Sequence, residues 1–230
     1  MIVQKIIFTK TKANWLTYSI LIFTQLVLAL HRDFGMQRPI RFFSHHPFDF
    51  IPPGWWPRFF WPLLGLTIVL MIVFGITGAP LTTTAAPYGV VSFELAGSVE
   101  RTHLILISWD ANAKIRAAFG LGLDFVFILV YASTIAIGCG MTAQVLKRIG
   151  WPLAGWGNLL SWAVILAAVL DMIENIALTT LIFGSVVFPW PEIARWCAIF
   201  KFTLIFVGIV YVIYGAVVAL VERISPLEEE

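Results

Sequence analysis

The chain has 230 residues, 60% of them hydrophobic and only 12% charged, with a mean hydropathy of +0.90. A soluble domain carries about 25% charged residues, so a water-soluble globular protein is excluded. The formal charge of +2 lacks the basic excess that a nucleic-acid partner requires.

From the N-terminus, residues 1–58 read as a basic and aromatic interfacial segment containing one apolar helix, 15–30, with Lys5, Lys10 and Lys12 before it and Arg32 after. This run is either an interfacial helix or a short fifth span. A secretory signal fits less well, because Ala29-Leu30-His31-Arg32 has no small-x-small cleavage pattern. Over 36–62, rings such as Phe42, Phe43, Trp55 and Trp56 accompany Arg38, Arg41 and Arg58. Rings at headgroup depth and guanidiniums on phosphates would anchor this stretch to the membrane. The adjacent His45 and His46 lack carboxylate or thiolate partners at ligand spacing, so no metal site is expected there or elsewhere.

Residues 59–221 read as an all-α transmembrane domain. A hydrocarbon core about 30 Å thick needs roughly 20 apolar residues of helix. Four segments meet that length with almost no internal charge: 59–79, 118–143, 159–183 and 197–221. Their apolar residues occupy every face rather than one stripe, which excludes an amphipathic soluble helix. Gly78-Ala79-Pro80, Gly150-Trp151-Pro152 and Pro189-Trp190-Pro191 separate them. Short connections predict antiparallel neighbours in a four-helix bundle.

The long first loop predicts an amphipathic helix at 99–109, capped by Ser98, with Leu104, Ile105, Ile107 and Trp109 on its apolar pattern. Asp110 caps a helix that runs unbroken into the second span. Ala118 and Gly122 form a small-xxx-small pair that would admit a neighbouring helix. Residues 222–230 form an acidic tail. The positive-inside rule puts Arg58, Lys147 and Arg148 in the cytoplasm, with both ends of the four-span core on that side. Arg101, Lys114 and Arg116 then face outward, offset by Glu94, Glu100 and Asp110. Cys139 falls near the inner end of span two and Cys197 near the outer end of span four, so the two are core residues that cannot bond to each other.

The only charged residues inside the spans are Asp124, Asp171, Glu174 and Lys201. A charge at a helix centre costs about 2.5 to 3.5 kcal/mol on insertion scales, so these must be paired, protonated or hydrated. Asp171, Glu174 and Asn175 stand at i, i+3 and i+4, on one helical face. Depth arithmetic brings Asp124 and Lys201 to the same outer half of the bilayer, with Glu174 or Asp124 as the economical partner of Lys201. Tyr131, on nearly the same face as Asp124, is placed to hydrogen-bond the cluster. With three acids against one base, at least one carboxyl is expected to hold a proton, and a midplane Asp171 is the first candidate. Ser133, Thr134, Thr179 and Thr180 read as hydroxyls bonded to their own helix backbone. The spans contain no histidine, phosphate loop or nucleophile elbow, so no cofactor is expected.

The segment Pro87–Gly97, Leu123-Asp124-Phe125 with Tyr131-Ala132, Leu170-Asp171-x-x-Glu174-Asn175, and Lys201-Phe202 together resemble a family of uncharacterised bacterial four-span integral membrane proteins. The likeness covers 60–221. It implies a multi-pass protein of the bacterial inner membrane and supplies no activity. In general layout the chain is also similar to the sterol-isomerase-like EXPERA membrane domains, from which no residue is carried over.

The function expected from these residues is binding or passage of a small polar or amphipathic ligand, linked to protons, at Asp124, Tyr131, Asp171, Glu174, Asn175 and Lys201. One alternative is an intramembrane lipid-modifying enzyme using carboxylate acid–base chemistry. Another is an accessory or structural subunit of a membrane complex or oligomer, and a network that only fixes helix register is the purely structural alternative. Membrane lipids and a small ligand are the expected partners.

Overall fold

A computed structural model describes residues 45–184 and 186–224. The apolar run 15–30 and the tail beyond 224 lie outside the described residues. Among the described residues there is no strand, and six α-helices follow in order. They are α1 (Trp56–Gly78), α2 (Val90–Glu94), α3 (Val99–Ser108), α4 (Ala111–Arg148), α5 (Gly157–Phe183) and α6 (Trp190–Ile224).

Four of them, α1, α4, α5 and α6, are long and apolar enough to cross a membrane. At 1.5 Å per residue, α1 with its 23 residues reaches about 34 Å and α4 with its 38 about 57 Å, so α4 overshoots a hydrocarbon core of about 30 Å. α4 runs unbroken from its cap, where the Asp110 carboxylate accepts from the Ala113 N–H at 2.7 Å. α6 extends through Glu222 and Arg223, residues the sequence assigned to the tail, and Glu222 Oε2 meets Arg148 Nη2 at 2.7 Å.

The pairings along the helices fix their directions. Asp124, Tyr131 and Ala136 of α4 meet Asn175, Asp171 and Ser161 of α5, so rising numbers meet falling ones. α5 and α6 run oppositely as well, since Lys201 meets Glu174 near one end while Gly208 sits against Val164 further along. α1 packs along α4, with Thr67 against Thr134 and Phe74 against Phe127. It makes no extended contact with α5 or α6, and only Trp56 and Leu70 of its residues are buried. The bundle is therefore a tight trio of α4, α5 and α6 with α1 on its flank.

Close approach does not occur at Ala118 and Gly122, because a Cβ on Gly122 would meet open space. It occurs at the other end of α4. A side chain on Gly138 would strike Val212 and Phe60, and one on Gly140 would strike Trp56 and His46. His46 is buried there: its Nε2 donates to the Ala136 carbonyl at 2.9 Å and its Nδ1 accepts from the Phe48 N–H at 3.1 Å. Burial pushes its pKa down, against the Ala136 hydrogen bond and Asp49, which fits the neutral ring those two partners require. Both ring nitrogens are thus committed to docking the aromatic lead-in on α4.

Residues 79–110 fold into a cap over the far end of the trio. Trp109 Nε1 donates to the Leu81 carbonyl at 2.8 Å, and Phe93, Ile105 and Trp109 pack with Ala113, Leu178 and Ala194 into one core cluster. α3 starts at the Ser98 cap as expected, but its buried face is Thr102, Ile105, Leu106 and then Trp109, at helical spacing, while Leu104 and Ile107 point outward. Gly89 and Gly97, at φ 58° and 67°, bracket α2 and turn the chain tightly on either side of it. This puts Glu94, the last residue of α2, against the helical bundle.

Candidate functional site

Asp171 and Glu174 face inward from α5 with Asn175, as their spacing predicts, and all three are buried. Lys201 comes from α6 and is 5% exposed. Its Nζ donates to Asp171 Oδ1 at 2.6 Å and lies 2.9 Å from Glu174 Oε2. Tyr131 donates its hydroxyl to Asp171 Oδ2 at 2.8 Å, and Asn175 Nδ2 donates to Asp124 Oδ2 at 2.6 Å. All six residues singled out in the sequence thus lie in one cluster.

Of the partners expected for Lys201, Glu174 is found and Asp124 is not. Lys201 is shared between Asp171 and Glu174 and leaves Asp124 to Asn175, because Asp171 and Glu174 stand one turn apart on the face that α6 packs against. Asp171 accepts a donor on each oxygen, Lys201 on Oδ1 and Tyr131 on Oδ2. Among the described residues, the buried carboxyl oxygens without a hydrogen-bond partner are both of Glu174, whose Oε2 has the ionic contact with Lys201, Oε2 of Glu94 and, outside this cluster, Oε2 of Glu192.

Glu94 is the member of this cluster that sequence reasoning left among the loop charges. It lies outside the four spans, yet it enters the same electrostatic cluster. Burial pushes its pKa up, to about 7; Lys201 opposes this while Asp171 and Asp124 add to it. One signal could have found it: it is the lone acid in Val90-Val91-Ser92-Phe93-Glu94-Leu95-Ala96, an apolar run between two glycines.

Beside the cluster is a cavity of about 400 Å³. Glu94, Asp124, Asp171, Asn175 and Lys201 provide its polar wall. Phe74 and Met71 of α1, Phe127 of α4, and Phe202, Ile205 and Ile209 of α6 provide the apolar remainder. Because α1 does not pack along α6, the cavity is a cleft between them, flanked by Met71, Phe202 and Ile209, whose side chains are exposed on the apolar outer surface of the bundle. Past Ile135 and Ile209 it ends, where Cys139, Leu160, Tyr211 and Val218 pack together. Among the described residues, no three His, Cys, Asp or Glu side chains converge as metal ligands.

These features define a multi-pass integral membrane protein, a helical bundle with a buried aspartate, glutamate and lysine network beside a lateral cleft. Comparison with known protein families, curated proteins and solved structures finds no match to the chain.

Proposed function

We propose that the protein takes a small amphipathic ligand from the membrane into the cleft between α1, α4 and α6, with the ligand's polar end at the carboxylate wall. The carrying observation is the cavity itself, which joins ionisable groups on one wall to side chains on the lipid-facing surface. A ligand site of this size, mostly apolar with a few converging polar groups, has the form usual for small-molecule recognition. Proton linkage resides at Glu94, whose carboxyl is pushed up to about 7 by burial and which belongs to the lining of the same space. The closed packing beyond Ile135 makes this a binding state, and passage would require the helices to part there.

The cap end faces outward and the Arg148 end the cytoplasm, on the basis of Arg58, Lys147 and Arg148, in the bacterial inner membrane that the family resemblance implies. A lipid-modifying reaction is the second reading, favoured by the cleft's opening toward acyl chains. Asp171 and Lys201 are already engaged with each other, which leaves Glu94 as its acid or base.

The test is photolabelling of the full chain in nanodiscs with a diazirine-bearing alkyl amphiphile. Gly120 lines the cavity and a Cβ there meets nothing, so Gly120→Trp fills the space without displacing backbone. Labelling should concentrate on peptides holding Met71, Phe74 and Ile205 and fall in Gly120→Trp. Uniform labelling of every lipid-facing helix, unchanged by the substitution, would contradict the proposal.

A further inference from the structure

Resting on the cleft as a ligand site, the charges and rings that line it go further and define the ligand's head. We infer that the ligand is an alkylammonium, a positively charged nitrogen bearing at least one N–H on an apolar body, held between Glu94 and Asp124.

Charge balance is the first argument. Four carboxyls, of Glu94, Asp124, Asp171 and Glu174, surround one lysine, and Lys201 is already shared by Asp171 and Glu174. Asn175 is neutral and gives Asp124 a single hydrogen bond. Arg116, the other cation on the lining, bonds through its Nε to the neutral Asn112 Oδ1 on the same helix at 3.1 Å, and with its charge counted four carboxyls still face two cations. An anionic head would therefore meet uncompensated carboxylates in a medium that screens them poorly.

Glu94 also offers an unmet acceptor. Glu94 Oε2 is buried, lacks a hydrogen-bond partner and belongs to a residue that lines the cavity. A buried oxygen left unpaired is costly, and an N–H donor carrying positive charge satisfies it best. A quaternary nitrogen would supply the charge without the donor.

Aromatic rings continue the α4 face that carries Asp124, with Phe127 and Tyr131 three and seven residues further along. Phe74 and Phe127 meet edge to face with centroids 5.3 Å apart, and Phe127 and Tyr131 follow at 5.2 Å, so three rings form one continuous surface in the cavity. Ring faces attract a cation, most strongly where water is excluded. Carboxylates and aromatic rings side by side in one lining suit an ammonium head, while Phe202, Ile205 and Ile209 lead its chain toward the acyl region.

The test is competition against the diazirine label by three probes of equal chain length, decylammonium, decanol and decanoate, each normalised to its measured partitioning into empty nanodiscs. Decylammonium should displace the label at a concentration at least about tenfold below that for decanol, with decanoate weakest. Glu94→Gln and Asp124→Asn should each remove most of that preference and leave decanol unchanged, and Asp124→Glu, which keeps the charge, should retain it. Decanol matching decylammonium, decanoate binding best, or an unchanged ranking in both neutral variants would overturn the ammonium assignment while the cleft remains a site. Failure of all three probes to compete, with Gly120→Trp labelled like the wild type, would remove the cleft reading and this inference together.

Discussion

Replacing Lys201 by methionine keeps the length and apolar stem of the side chain and deletes its charge. Asp171, 3% exposed, then retains only the Tyr131 hydroxyl, and Glu174, 0% exposed, loses its only cation contact. Removing one partner of a buried ion pair costs about 3 to 5 kcal/mol, because the remaining charge stays buried without compensation. A neutral hydrogen bond between membrane helices averages only about 0.6 kcal/mol, so the two accounts are separable. Lys201→Met should therefore lower stability by about 3 to 5 kcal/mol, a large share of a typical total of 5 to 15. Asp171→Asn made on top of it should cost far less than in the wild type, with a coupling energy of about 1 to 3 kcal/mol. The assay is reversible unfolding by dodecyl sulfate in mixed micelles, followed by circular dichroism. A loss below about 1 kcal/mol, or additive single and double substitutions, would refute the ion-pair network as the fastener of α5 to α6.

Three further outcomes follow from particular contacts. The Glu94 carboxyl is raised from 4.5 to about 7, so folding binds a proton: its contribution is full below 4.5 and lost as pH rises through about 7. The protection of 86–97 against hydrogen exchange, taken relative to the intrinsic rate at each pH, should fall across that window in the wild type and stay level in Glu94→Gln. Gly140→Ala places a methyl against Trp56 and His46, and should cost about 1 to 3 kcal/mol and shift tryptophan emission as the lead-in is displaced. Cys139 Sγ lies 3.8 Å from the Gly208 carbonyl, and Cys197 is 11 residues up α6, or about 16 Å at 1.5 Å per residue. Mass spectrometry without reductant should find no bond between Cys139 and Cys197.

What the sequence disclosed follows from which forces act locally. Four apolar runs specified spans because nothing but a helix satisfies its own backbone in lipid. The i, i+3, i+4 spacing of Asp171, Glu174 and Asn175 oriented α5, and burial cost drew Lys201 to it. Of the two partners of Lys201, Glu174 was legible and Asp171 was not, since depth along a helix is readable from sequence whereas rotation against a neighbour is set by packing. The flank position of α1 was hidden for a related reason: lipid-facing and protein-facing residues are equally apolar, so Leu66 and Leu70 look alike though only Leu70 is buried. Glu94 was overlooked because charges in loops were counted for topology. Only the turns at Gly89 and Gly97 and the packing of Phe93 on Trp109 bring it to the bundle.

The cleft is the central claim, and its occupancy in lipid tests it most directly. An experimental density map of the full chain in nanodiscs should show α1 separated from α6 and an elongated density running from Glu94 and Asp124 past Phe74 to the surface between Met71 and Phe202. A map in which α1 closes flush against α6, with the carboxylate wall dry and no continuous density beside it, would contradict the account.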